Sequence, residues 1–345
     1  MISRIRALAT LGVDRSLKLN RAKGLGAETI RGYYTTQVLI ALINVGLMAE
    51  LGSGRGVQVV TFAKREGLDE GVLQNLFDYL YELRFLDQSK EGYALTEKGM
   101  LAHEMLTGVI LSVYAYKEIF SNLEALLRGE MIYGVDINRR SEFVAVGSGH
   151  SAELLAIPIL SNLLLEKGWT RILDMACGDA RFLSSVCMSN PNFLGFGVDI
   201  APEAIEAGNR DLMREGLSDR VHLSVGDMFA MDTSFQDIPE IDVCTCVYAL
   251  HEFLDDGNGR LVELLQGYLR RFPGVPMVVC EVIHHSPAEL RRKPGGLMEI
   301  QLMHHLSNQR LATREEWREI FGKVGFNSVS EIYLDYARTA VFTAV

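Results

Sequence analysis

Asp174-Met175-Ala176-Cys177-Gly178-Asp179-Ala180 is the stretch from which the fold of this chain can be read. An apolar run, 171–176, leads into it, and a helical pattern opens near Arg181. Small residues at Ala176, Gly178 and Ala180 let the main chain approach a ligand closely, and the helix start offers unpaired amides to the ligand's polar end. A strand that turns into a helix through such a loop is a cofactor cradle. A dinucleotide loop wants three glycines to admit a pyrophosphate, and two of the three positions here are alanines.

Outward from this loop, apolar strand patterns alternate with helical ones, as in a parallel sheet covered on both faces. The strands are expected at 171–176, 193–200, 221–227, 241–249 and 277–283, with a closing pair at 328–336 and 337–345. The second strand ends in Asp199, twenty-five residues after Asp174, where an acid can accept from both ribose hydroxyls. The third ends Gly226-Asp227-Met228, where the Asp carboxylate can accept from an adenine amino group and the Met can pack on the ring. Asp174, Ala176, Gly178, Asp199, Asp227 and Met228 are therefore the candidate cofactor residues. In this order they resemble the successive motifs of class I S-adenosylmethionine-dependent methyltransferases. The resemblance covers roughly 165–345 and implies a Rossmann-like α/β domain with a seven-stranded sheet and S-adenosyl-L-methionine as cofactor.

With 345 residues, 48% of them hydrophobic and 23% charged, the chain is long enough for two cores. Residues 1–110 read as a mainly helical, winged-helix-type dimerisation domain, 111–165 as a helical linker contributing to the substrate pocket, and 166–345 as the methyltransferase domain. A winged helix by itself suggests DNA, yet Asp69, Glu70, Asp78, Glu82 and Asp87 make its recognition surface acidic, and the net charge is −10. Phosphate binding needs clustered Lys and Arg, so no nucleic-acid partner is expected. The longest apolar run, 38–51, is broken by Asn44 and Glu50 and is too short to span a bilayer. The basic N-terminal stretch, from Arg4 and Arg6 to Lys23, lacks the apolar core of a secretory signal. Five cysteines without a CxxC pair fit reduced thiols. A cytoplasmic homodimer acting on a small molecule, with no membrane partner, is the expectation.

The fourth strand runs into Tyr248-Ala249-Leu250-His251-Glu252, which puts His251 just beyond a strand's C-terminal end, on the ligand side of such sheets. This segment is similar to that of the small-molecule O-methyltransferases with an N-terminal winged-helix domain, and the likeness implies His251 as general base for a phenolic metabolite, without a metal. A second pair, His304-His305, follows the fifth strand, and one of the two is expected to face the same crevice. Two imidazoles with open positions can hold an iron ion, and a 2-oxo acid can chelate it, which acidifies the neighbouring C–H bond.

These residues resemble the iron-dependent 2-oxo acid C-methyltransferases. That likeness implies His251 and His304 as metal ligands, Glu252 as the acid beside the first ligand, Arg140 as the substrate-carboxylate arginine, and methyl transfer through a metal-chelated enolate. His305 is the alternative register, and adjacent side chains point apart, so one of the two is expected to bind. Over the whole chain the resemblance is to the 2-ketoarginine methyltransferases, which methylate C3 of 5-guanidino-2-oxopentanoate on the route to 3-methylarginine. A guanidinium tail calls for a carboxylate fork, with Glu252, Asp255, Glu281 and Glu299 available. An aromatic tail calls instead for an apolar pocket, which Tyr114, Tyr116, Phe120, Tyr133 and Phe143 could supply.

Overall fold

The computed structural model describes residues 10–293 and 298–345, so Arg4 and Arg6 lie outside the described residues. The chain divides into two compact units, Met1–Tyr114 and Ala115–Val345. From Ala115 onward, the stretch read above as a linker clusters with the second unit.

In the first unit a long helix, Val13–Asn44, turns at Gly46 into a short one, Leu47–Gly52. Two further helices follow, Val59–Glu66 and Glu70–Glu82. Gly67, at φ 67°, ends the first of them in the left-handed conformation that glycine adopts without strain. The Asp69 side chain caps the second by accepting from the Val72 amide at 2.8 Å. Strands β1, Leu86–Ser89, and β2, Gly92–Leu95, then pair antiparallel. Asp69, Glu70, Asp78, Glu82 and Asp87 are all exposed. The apolar run 38–51 is spent inside this unit, because Leu39, Ile40, Leu42, Leu47, Met48 and Leu51 are buried in its core. Exposed apolar side chains lie earlier on the long helix, at Leu17, Leu25, Ile30, Tyr33 and Tyr34.

The second unit is a seven-stranded sheet: β3 Arg171–Met175, β4 Leu194–Asp199, β5 Val221–Val225, β6 Val243–Val247, β7 Met277–Val282, β8 Val329–Leu334 and β9 Thr339–Ala344. The order is β5-β4-β3-β6-β7-β9-β8, parallel through the first five, with β9 antiparallel to both β7 and β8. All seven expected strands form, each trimmed by one or more residues at its ends, where the chain leaves the ladder to turn.

The two-residue period of a strand sorts its side chains between two cores. Leu173, Met175, Cys244, Cys246, Val279 and Phe342 meet the helices Gly259–Arg271 and Arg314–Val324. Ile172, Val243, Val278, Cys280 and Val341 meet Ile157–Lys167 and Arg181–Ser189 on the other face. The helical stretch 141–167 is long and apolar enough by length and composition to cross a bilayer, but its Ile157, Leu160, Leu163 and Leu164 are buried against the sheet. Thr313 starts the last helix with a capping box: its Oγ1 accepts from the Glu316 amide at 3.2 Å, and Glu316 Oε2 accepts from the Thr313 amide at 2.7 Å. The chain's direction across the sheet reverses between β3 and β6, so a crevice opens at their C-terminal ends, the place where sheets of this kind bind ligands.

Candidate active site

At that crevice the loop after β3 is tightly wound. Ala176, Gly178 and Ala180 all have φ between 56° and 60°. Glycine takes this conformation freely, whereas an L side chain costs about 1 kcal/mol or more. The two alanines are tolerated because the loop is pinned across the crevice: the Gly178 amide donates to Asp199 Oδ2 at 2.8 Å. Asp199 Oδ1 accepts from the Ala201 amide at 2.9 Å. A carboxylate has about four lone-pair positions, so Asp199 keeps acceptor capacity for a diol. Room along β4 comes from Gly197, where an added Cβ would meet Cys177 Sγ at 2.7 Å.

Asp174 is 3% exposed, and its Oδ1 accepts from Thr245 Oγ1 on β6 at 2.7 Å, across the switch point. Burial pushes its pKa up to about 7, against the Thr245 bond and with help from the charge of Asp199. Asp227 folds its turn: its Oδ1 accepts from the Phe229 amide at 2.8 Å, and its own amide donates to Ser234 Oγ at 2.9 Å. Met228 is half-buried against the adjoining core.

The histidine centre stands beside this cradle. Tyr248 at the end of β6 takes φ 55°, and the chain turns sharply into the short helix Leu250–Phe253, where His251 is 7% exposed. The wholly buried Glu281 on β7 holds His251 twice: Oε2 lies 2.8 Å from Nδ1, and Oε1 accepts from the His251 amide at 3.2 Å. Burial opposes the imidazolium, but Glu281 and then Glu252 outweigh it, and the His251 pKa is raised. On the helix Met298–Leu306, His304 Nδ1 lies 2.7 Å from the Ile300 carbonyl, which can only accept, so Nδ1 carries the hydrogen. Burial and then the His251 charge hold the His304 pKa down to about 4.

Both Nδ1 atoms are thus committed, and the two Nε2 atoms face each other at 3.3 Å. Two lone pairs do not meet head-on at that distance without a positive charge between them. A proton from a charged His251 can fill the gap, and a cation bound by both nitrogens can fill it equally. His305 turns away, is exposed, and has its ring 6.5 Å from that of His284. Of the adjacent pair, His304 is therefore the one that meets His251.

Glu252 lies 3.9 Å from His251 Nε2. The arginine beside it is Arg139, one position from the expected Arg140. Arg139 Nη2 donates to Glu252 Oε1 at 2.8 Å and Nη1 to Gln309 Oε1 at 2.6 Å, with the Tyr116 hydroxyl 3.4 Å from Nη1. Arg140 instead donates to Glu142 at 3.1 Å and stacks on Phe143 at 4.4 Å. The reason is local: Arg140 is the residue before the helix Ser141–Ser151, so successive side chains of this extended segment point to opposite sides and only Arg139 turns inward. Sequence reading also missed Gln309, because a lone Gln after a helix carries no pattern, and it did not assign Glu281 as the partner of His251.

The acids proposed for a guanidinium are mostly engaged. Both oxygens of Glu281 serve His251, those of Glu252 serve Arg139 and Gln309, and those of Asp255 accept from the amides of Gly257, Gly259 and Arg260. Glu299 is exposed.

Residues 166–319 match the family described as a methyltransferase domain. The chain is 27% identical to the 2-ketoarginine methyltransferase of Streptomyces arginensis over 94% of both chains. Among solved structures, an O-methyltransferase of Nostoc punctiforme covers 93% of this chain and 98% of its own, at 20% identity and a TM-score of 0.67. PigF, solved with SAH, covers 93% and 99%, at 15% identity and the same TM-score of 0.67. The cradle at the ends of β3, β4 and β5, the family match and the full-length similarity agree: this chain is an S-adenosylmethionine-dependent methyltransferase of the class I fold.

Proposed function

We propose that the enzyme methylates C3 of a 2-oxo acid, with 5-guanidino-2-oxopentanoate as the substrate and an iron ion between His251 and His304. The facing Nε2 atoms at 3.3 Å carry this reading. Among the described residues no group of three His, Cys, Asp or Glu forms a complete cage. The donor set nevertheless fits: two neutral imidazole nitrogens, each fixed by a hydrogen bond from its other nitrogen, leave the remaining positions open for a bidentate ligand. When bound, the ion would supply Lewis-acid polarisation of the ketone, which acidifies the C3–H bond.

The chain's own residues do the rest. Glu281 holds the His251 ring in one orientation. The Nε–H of Arg139 and its second Nη2 hydrogen, without a partner among the described residues, are placed for the substrate carboxylate. Asp174, Ala176, Gly178, Asp199, Asp227 and Met228 would hold the cofactor as read above, with the methyl group delivered over the crevice. The guanidino tail is proposed from the similarity to 2-ketoarginine methyltransferase, with Glu299 as the one acid of the four whose side chain has no hydrogen bond among the described residues. We further propose a cytoplasmic homodimer; the exposed apolar side chains of Val13–Asn44 support self-association.

One observation favours a second reading. A His–Glu pair whose second ring nitrogen faces only another imidazole is also a general base, and metal-free O-methylation of a phenol with His251 as base would use it. The deciding experiment offers S-adenosylmethionine with 5-guanidino-2-oxopentanoate, phenylpyruvate or a catechol, with and without an iron chelator, and follows product mass. The expected result is a chelator-sensitive gain of one methyl group on the guanidino acid. Methylation of the catechol alone, indifferent to chelator, refutes the proposal.

A further inference from the structure

Gln309 sits in a closed ring of three side chains. Its Oε1 accepts from Arg139 Nη1 at 2.6 Å, its amide nitrogen donates to Glu252 Oε2, and Glu252 Oε1 accepts from Arg139 Nη2 at 2.8 Å. The neighbours fix which end of the amide is oxygen, since Arg139 only donates and a carboxylate only accepts. Ser307 Oγ, 3.0 Å from Gln309 Oε1, and Tyr116, 3.3 Å from Ser307 Oγ, extend the ring into the interior, where both are buried.

The ring has an unusual consequence for the ion pair. Arginine and a carboxylate left to themselves prefer two parallel hydrogen bonds, which satisfy both partners. Here the pair has only one, because Gln309 holds the second oxygen of Glu252. The edge of Arg139 formed by Nε–H and the second Nη2 hydrogen has no hydrogen-bond partner among the described residues, and Glu252 already holds the adjoining Nη2.

We propose that Gln309 is a positioning residue that keeps Glu252 from saturating Arg139, so that the arginine retains a two-pronged edge for an anionic group of the substrate. The inference rests on the 2-oxo acid reading for the identity of that group. It also explains how an acid and an arginine can coexist in one crevice without cancelling each other. In the absence of the amide, Glu252 rotates onto the open edge and competes with the substrate as an internal carboxylate.

The test uses the full chain with Gln309→Ala, with Gln309→Glu, which preserves volume but cannot donate to Glu252, and with Gln309→Ala combined with Glu252→Gln. A crystal structure of the Gln309→Ala variant is expected to show Glu252 on Nε–H and Nη2 of Arg139, whereas a Glu252 fork on Nη1 and Nη2, the end that Gln309 vacates, would leave the edge open and overturn the proposal. In steady-state assays the KM for the 2-oxo acid rises roughly tenfold or more in both single variants, while the dissociation constant for S-adenosylmethionine stays within about twofold. Adding Glu252→Gln brings KM back down, because a neutral amide competes poorly for Arg139; a merely structural role for Gln309 would give no such rescue. An unchanged KM, a double variant no better than Gln309→Ala, or a Glu252 that stays put in the crystal overturns the proposal. If the unmodified enzyme methylates neither 5-guanidino-2-oxopentanoate nor phenylpyruvate, the substrate reading fails, and the position of Glu252 in the variant crystal alone judges Gln309.

Discussion

Replacing Asp174 by Asn should make the protein more stable at alkaline pH and weaken its hold on the cofactor. The carboxyl is 3% exposed, and burial raises its pKa from 3.8 to about 7. The folded state therefore binds this proton more tightly than the unfolded chain does. Stability from this group is fully present below the unfolded value near 3.8, and is lost as pH rises through about 7. A difference of about 3 units at about 1.36 kcal/mol each makes the folded chain's cost of holding the charged form roughly 4 kcal/mol above pH 7. Asparagine removes the charge and keeps the Oδ1 that accepts from Thr245 at 2.7 Å. Urea unfolding from pH 3 to 8.5, followed by a probe in the second unit, should show the two proteins equal at the acid end. The variant should be more stable by up to roughly 4 kcal/mol at the alkaline end. Calorimetric titration at pH 8 should find S-adenosylmethionine bound roughly tenfold more weakly if Asp174 helps to hold it as proposed, because the carboxylate is gone. Parallel pH profiles for the two proteins would refute the reasoning, since they would mean that Asp174 titrates as an ordinary surface acid.

Two further substitutions probe the rest of the site. Glu281→Gln keeps the packing but removes the charge that raises the His251 pKa and fixes its ring, and methyl-transfer rates should fall by roughly 10- to 100-fold with cofactor affinity unchanged; an equal loss of cofactor binding would show that the loop, and not His251, had been disturbed. Ala176→Gly and Ala180→Gly, at φ 58° and 60°, should each stabilise the fold by about 1 kcal/mol, read as a rise in the midpoint of urea unfolding; a lower midpoint would show that the methyl groups contribute more by packing than they cost in the backbone.

Much of this protein was legible in one dimension because the signals were local or periodic. The alternation that sends Leu173 to one face and Ile172 to the other is a property of the strand itself, and so is the small-residue turn at Ala176, Gly178 and Ala180. The capping pair Thr313 and Glu316, three residues apart, is equally local. The order of such segments was enough for a parallel sheet with a terminal hairpin, and for placing Asp199 and His251 at strand ends. What depended on direction in space was not legible. Arg139 and Arg140 have the same chemistry and adjacent positions, and only the path into the following helix turns the first inward. His304 and His305 differ in the same way, and the helix phase puts one against His251 and the other beside His284. Glu281 reaches His251 across two neighbouring strands, and Gln309 bridges Arg139 and Glu252 from 170 and 57 residues away. Composition and periodicity determined the layers and the strand ends, because those follow from backbone geometry and burial. Which side chains share a hydrogen was decided only by the tertiary structure, because such partnerships depend on separations of a few ångströms between segments that the sequence leaves far apart.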